Sequence, residues 1–255
     1  MITRLLRPLF CLIFISSIGP KLSAQVNVSD SAVFAPLFHA TVGFHLPSGD
    51  LESRFGNFAT LGGGMVFKTK KNLLWGVESH FQYGNQVKET SMLNWLRANN
   101  GEIINLAGRY ASVFYFQRGI DACFTVGKII PVFGPNKNSG IRINFGAGYW
   151  QHRVKIEDAE GGVFYLRDEY LPGFDRKTGG LLLKEYAGYH HQGDTRIANF
   201  SLGFEFNQGF TRSLRDFNYD TQTSDQSQRL DLSFGLRLSW IIPFYKKTPQ
   251  EFYYY

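Results

Sequence analysis

Apolar and polar residues alternate strictly through segment 229–242, which predicts a β-strand with two different faces. Seven large apolar side chains, from Leu230 to Ile242 in steps of two, fall on one face, because successive side chains of a strand point to opposite sides. The other face holds Asp231, Ser233, Gly235, Arg237 and Ser239. One face therefore meets an apolar medium and the other a polar one, as in the wall of a soluble or a membrane barrel.

The same alternation recurs along the chain, at 36–45, 58–68, 73–83, 141–150 and 198–207. Two further segments, 119–133 and 181–191, are less regular. Pro131 removes a ladder donor and predicts a strand end or a bulge, and segment 181–191 fits either phase. With 229–242 these segments make eight strands.

The connections between these strands alternate in length. Long segments at 48–57, 84–118, 157–180 and 213–228 alternate with the short turns KTKKN, GPNKNSG and GDTR. Large loops at one rim and tight turns at the other are typical of an up-and-down barrel. The sequence therefore predicts an all-β fold, an eight-stranded antiparallel transmembrane β-barrel with long extracellular loops and short periplasmic turns.

The first residues predict export. Arg4 and Arg7 precede a short apolar run that ends in small residues at Ala24, which is the pattern of a secretory signal peptide. The alternative, a membrane anchor, needs about 20 apolar residues, and this run is shorter. The predicted organisation is a signal peptide at 1–24, a periplasmic segment at 25–35, the barrel at 36–245 and a periplasmic C-terminal tail at 246–255.

Composition excludes some functions. Three of the 27 Lys and Arg residues lie in the signal segment, so 24 remain against 21 Asp and Glu. This excess of basic over acidic residues is too small to indicate nucleic-acid binding. Cleavage also removes Cys11, and the remaining Cys123 has no cysteine with which to form an internal disulfide.

Alternation alone does not decide which face looks outward, because a lipocalin-like soluble barrel also alternates, with its apolar face inside. Aromatics near strand ends, such as Tyr83, Tyr149 and Trp240, favour a membrane barrel with interfacial girdles. The polar face would then fill the narrow lumen of an eight-stranded barrel. We expect an ion-pair network there, and a narrow conductive path is the alternative. The predicted network consists of Glu78, Arg142, Glu205, Asp231 and Arg237.

Candidate chemistry is sparse. The chain has six histidines, each a candidate general base, and a lipid-modifying enzyme needs such a base beside an activated serine. Ser79 and His80 fall on opposite faces of their strand, and the pair His190-His191 near the GDTR turn is more simply interfacial. Acidic residues between Glu157 and Asp175 lack the regular alternation of a calcium loop. No catalytic residue, cofactor site or metal site is predicted.

Two loop stretches, 170–180 and 215–221, combine aromatic residues with paired Asp and Arg, a mixture favoured at protein contacts. They predict contact with a partner protein, and the alternative is a loop that folds on its own barrel rim. The candidate contact residues are Tyr170, Phe174, Asp175, Arg176, Arg215, Asp216, Phe217, Asn218, Tyr219 and Asp220.

Several segments together resemble a known family. They are the signal end Ala24-Gln25, FTVGKIIPVFGPNKNSG (124–140), YLPGFDRKTGG (170–180), GFEFNQGFTRSLRDFNYDT (203–221) and PFYKKTPQEFYYY (243–255). The chain resembles small outer-membrane barrels of Bacteroidetes-type bacteria, similar in plan to barrels of outer-membrane protein A and X type. The resemblance implies an accessory barrel of envelope machinery, including β-barrel assembly and type IX secretion. It carries no catalytic motif.

The leading functional hypothesis is a non-enzymatic barrel in the bacterial outer membrane. It would contact membrane lipid and act as an interaction subunit of a larger assembly or secretion complex. The alternatives are a free-standing structural or adhesive barrel and, third, a lipid-modifying enzyme.

Overall fold

The structure is a computed structural model that describes residues 31–193 and 197–245. The predicted signal peptide, the periplasmic segment up to residue 30, the tail at 246–255 and residues 194–196 of the GDTR turn lie outside the described residues. Among those described, no helix has the length and apolar character needed to cross a membrane.

Eight antiparallel strands close into a barrel, which confirms the predicted fold class. The barrel strands are β1 (Ala35–Gly49), β2 (Phe58–Lys68), β3 (Leu73–Gly84), β6 (Val113–Ile130), β7 (Gly140–Asp158), β8 (Thr178–His191), β9 (Phe200–Ser213) and β10 (Gln228–Pro243). Their order around the ring is β1-β10-β9-β8-β7-β6-β3-β2, and the pairing of β1 with β10 closes it. Two short strands, β4 (Ile103–Ile104) and β5 (Tyr110–Ala111), pair within the loop after β3.

The strands are longer toward the long-loop rim than the alternation predicted. Strand β6 begins at Val113 rather than near Gly119, and β7 continues to Asp158, so the two pair along their whole length. Pro131 directly follows the end of β6, as expected for a residue without a ladder donor. The loops contain a short α-helix (Asp50–Arg54) and 3-10 turns at Ser91–Leu96, Phe164–Leu166 and Leu171–Gly173.

The apolar face of the wall points outward, so the soluble-barrel alternative with an apolar interior is wrong. On β10, Phe234 is 48% exposed and Leu236 is 52% exposed, whereas Asp231 is fully buried. The same division holds on β8, where Leu181 and Leu183 face out and Leu182, Lys184 and Tyr186 face in. This settles the phase that the sequence left open.

Two apolar cores close the ends of the barrel. At the short-turn rim a small core packs inside the ring, formed by Ala35, Leu37, Val66, Leu74, Ile129 and Ile241. At the other rim a larger core joins lumen residues such as Trp150 and Leu182 to loop residues such as Met92, Leu93 and Phe174. We call the three long loops 85–112, 159–177 and 214–227, with the connection 50–57, the cap.

Candidate functional site

An ion-pair cluster fills the middle of the lumen. Arg237 on β10 donates from Nη1 to Glu78 of β3 and to Glu205 of β9, each at 2.8 Å. Arg142 of β7 lies 3.5 Å from Glu78, and both guanidinium groups stack over the ring of Tyr186. The structure thus brings together four of the five residues that the sequence proposed for the lumen, from four different strands.

A second cluster lies against the first. Lys184 of β8 approaches Asp121 of β6 at 2.8 Å and Glu205 at 3.6 Å. His80 contacts the same Asp121 carboxylate at 3.0 Å. Sequence reasoning missed Asp121 and Lys184 because their strands were the two whose alternation was irregular.

The fifth predicted residue, Asp231, belongs to a third layer nearer the cap. Its carboxylate contacts His152 at 2.9 Å and accepts a hydrogen bond from Thr211 at 2.5 Å. Trp150 closes the lumen beside it. A Cβ on Gly209 would lie 2.7 Å from the Trp150 ring, so the indole fits because residue 209 has no side chain.

This filling predicts that the barrel does not conduct. Purified protein in planar bilayers should give no stable large-current openings, because polar clusters fill the middle and apolar cores close both ends. The control is the same bilayer with an open porin. Long-lived openings of constant size would contradict a closed lumen.

Ser79 and His80 do not form a hydrolytic pair. Ser79 faces outward and its hydroxyl donates to the backbone oxygen of Asp121, whereas His80 is inside the lumen. His190, expected at the interface, is instead fully buried inside the barrel. Within residues 31–193 and 197–245, no group of three or more His, Cys, Asp or Glu side chains is arranged to hold a metal ion.

In the cap, a chain of ion pairs joins all four connections. Arg54 of the first connection donates from Nε to Glu89 of the second at 3.0 Å. Arg176 of the third donates to the other oxygen of Glu89 at 2.9 Å and to Asp220 of the fourth at 2.5 Å. These two acidic partners raise the pKa of Arg176 although burial opposes its charge. The cap is therefore held together as one unit.

A second link joins the third and fourth loops. The guanidinium group of Arg215 binds the Asp175 carboxylate through two nitrogens, at 2.8 and 2.5 Å. The hydrogen bonds to Asp175 raise the pKa of Arg215. A bidentate pair of this kind fixes orientation as well as distance.

An aromatic cleft of about 410 Å³ opens on the cap. Its lining consists of Trp95, Tyr165, Tyr170, Phe174, Tyr219, Asp220 and Gln222. Trp95, Tyr165 and Tyr219 are each between 42% and 49% exposed, and Phe174 is a buried floor. The Trp95 ring stacks on Phe174 with centroids 6.1 Å apart, and Tyr219 meets Phe174 edge-on at 5.5 Å.

The candidate contact residues divide into three groups. Phe174, Asp175 and Asn218 are buried, so they support the cap and are not free to form a contact surface. Arg176, Arg215 and Asp220 pair within the chain, as the loop-on-its-own-rim alternative expected. The remaining candidates are accessible to different degrees: Tyr170, Asp216, Phe217 and Tyr219. Trp95 was missed because no pair of Asp and Arg stands beside it in the sequence. Tyr165 was missed although it lies five residues before segment 170–180, close to Arg167 and Asp168.

Neither a protein-family model nor a curated protein matches the chain. Among solved structures, Neisserial surface protein A is similar at TM-score 0.43 and 11% identity, over 82% of this chain and 97% of that one. Ail, the attachment invasion locus protein of Yersinia pestis, is similar at TM-score 0.40 and 7% identity, over 84% and 99%. The N-terminal β-barrel domain of Pseudomonas aeruginosa OprF is similar at TM-score 0.34 and 7% identity, over 81% and 97%. These values are low, so the fold assignment rests on the closed ladder of the chain itself.

Proposed function

We propose that this chain is a non-enzymatic barrel of the bacterial outer membrane that acts as an interaction subunit of a larger assembly or secretion complex. The observation that carries the proposal is a tightly linked cap with an open aromatic cleft, standing on a barrel whose lumen is closed. A closed lumen leaves the outer surfaces as the places where this molecule can act.

The outer wall supports the membrane placement. Exposed Phe, Leu, Val, Ile and Trp side chains line it on many strands, among them Phe44, Val77, Phe124, Phe204 and Leu236. A continuous apolar surface of this extent is incompatible with water, because large exposed apolar patches drive association. Lipid is the medium that such a wall needs, and a closed ladder leaves no unpaired strand edge within it.

The cleft supports a protein partner. Trp, Tyr and Arg are the residue types that dominate binding energy at protein contacts, and the cleft presents Trp95 and Tyr219 beside the Arg176–Asp220 pair. Because the cap is cross-linked by ion pairs, little ordering entropy is lost when a partner docks. The cleft is thus a preorganised pocket for an apolar side chain of another protein at the cell surface.

Gentle detergent extraction of the full chain and pull-down should recover one reproducible set of partner proteins. Trp95→Ala and Tyr219→Ala should each lower that recovery by about tenfold or more, because truncating a central aromatic contact costs about 2 kcal/mol. The matched control is Tyr110→Ala, since Tyr110 is 63% exposed in the β4–β5 hairpin and does not line the cleft.

Recovery of a lone monomer would overturn the interaction-subunit proposal and leave the free-standing barrel. Equal loss of partner in the Tyr110 variant and the cleft variants would refute the cleft as the contact. The heat-dependent shift in electrophoretic mobility of each purified variant verifies that its barrel is folded.

A further inference from the structure

Glu185 is a carboxylate on the outer wall of the barrel. It stands at the middle of the outward row of β8, with Leu181 and Leu183 on one side and Ala187 and Tyr189 on the other. Across the ladder it faces Phe145 of β7 and Phe206 of β9. Among the described residues, no other acidic side chain faces outward within this apolar belt.

The surroundings of Glu185 do not satisfy it. Gln208 of β9 is its hydrogen-bond partner, with Nε2 at 3.5 Å from Oε1, which is the outer limit for such a bond. The carboxylate borders a surface groove of about 290 Å³ whose lining includes Phe145, Phe204, Phe206 and Phe234. Ala187 is small and leaves the groove open beside Glu185.

We propose that this groove is a lateral docking site for another membrane protein, which inserts a lysine or arginine side chain and pairs it with Glu185. An ionisable side chain facing lipid is costly and marks a functional contact with a countercharge. The phenylalanine rings suit the same ligand, because aromatic faces attract a cation and the apolar stem of Lys or Arg packs against them. A cationic side chain therefore matches both the charge and the walls of the groove.

A second copy of this chain is a poorer fit. Its outward-facing cations in the described strands lie toward the rims, at Arg118, Lys128, Arg153, Lys155 and Arg212. None of them occupies the middle of its strand's apolar row, as Glu185 does. The inference rests on the proposed membrane placement and is independent of docking at the cap.

The test places the photo-crosslinking residue p-benzoylphenylalanine at Leu183, in the full chain within the outer membrane of the cells that make it. We expect one covalent product with a different membrane protein, and Glu185→Gln should lower its yield about tenfold. The matched control is Glu157→Gln, which removes an outward carboxylate at the cap end of β7 and should leave the yield unchanged. Mass spectrometry of the product identifies the Lys or Arg nearest the crosslink.

Charge exchange decides the result. Changing the partner's cation to Glu should abolish the product, and Glu185→Lys combined with that change should restore it. Products with lipid alone, a product of twice the chain's own mass, or a yield unaffected by Glu185→Gln would each overturn the proposal. The variants Trp95→Ala and Tyr219→Ala should still give the crosslinked product. The experiment therefore distinguishes a loss of docking at the cap from a loss of docking at this groove.

Discussion

Arg237→Ala is expected to destabilise the barrel strongly. The change leaves Glu78 and Glu205 without the guanidinium group that contacts both at 2.8 Å, and all three side chains are at least 96% buried. Removing one partner of a buried ion pair costs about 3–5 kcal/mol. The measurement is the free energy of unfolding by urea in lipid vesicles, followed by the difference in electrophoretic mobility between folded and unfolded barrel.

The matched control is Arg212→Ala, which removes an exposed arginine from the outer face of β9. Exposed charges contribute about 0–1 kcal/mol, so this variant should unfold close to the wild type. A double variant in which Arg237→Met is combined with Glu205→Gln should recover part of the loss, because Glu78 keeps its contact with Arg142 and Lys184 keeps its contact with Asp121. Wild-type stability of Arg237→Ala would contradict the network.

Arg176→Ala is expected to loosen the cap while leaving the barrel folded. The substitution removes the hydrogen bonds to Glu89 and Asp220. The third loop is then joined to the fourth by the Asp175–Arg215 pair and to the second by the Trp95–Phe174 contact. Hydrogen bonds to charged groups contribute about 1.5–3 kcal/mol each. Hydrogen exchange should therefore accelerate at cap amides in 85–112, 159–177 and 214–227, with unchanged protection in the barrel strands.

Arg109→Ala is the control, because Arg109 is an exposed arginine of the same cap and has no contact to Glu89 or Asp220 among those described. It should not alter exchange. Unchanged protection of the cap in Arg176→Ala would mean that the apolar core under the loops holds them without the ion pairs.

The barrel was predictable because its signal is local. A two-residue period marks a strand wherever its faces meet different media, and β2 and β10 were placed to within a residue of their observed ends. The alternation is weaker where the two faces of a strand carry similar residues. Leu181, Leu182 and Leu183 are consecutive apolar residues, so nothing in the pattern assigns Lys184 to the lumen. Strand β6 likewise extends beyond the apolar part of the wall toward the cap. There Phe114 and Arg118 both face outward, so alternate positions no longer separate apolar from polar residues.

The cap was largely beyond prediction because its contacts are not local. Segments 170–180 and 215–221 were identified by composition, and the structure brings them together through Asp175 and Arg215. Their connection to Arg54, Glu89 and Trp95 depends on loops that are separated by whole strands in the sequence and meet at one rim of the barrel. A single sequence contains no pattern that shows which loops contact one another.

The placement of Arg237 also bears on the order of assembly. It lies on the last strand, whereas Glu78 is on the third strand of the chain and His39, 3.5 Å from Glu78, is on the first. Before β10 pairs with β1, Arg237 can contact Glu205 on the neighbouring strand β9, but Glu78 lies near the opposite edge of the unclosed sheet. Joining the two edges of the sheet and forming the Arg237–Glu78 pair are then one event, so the free energy of that pair is gained only when β10 meets β1 in the correct register.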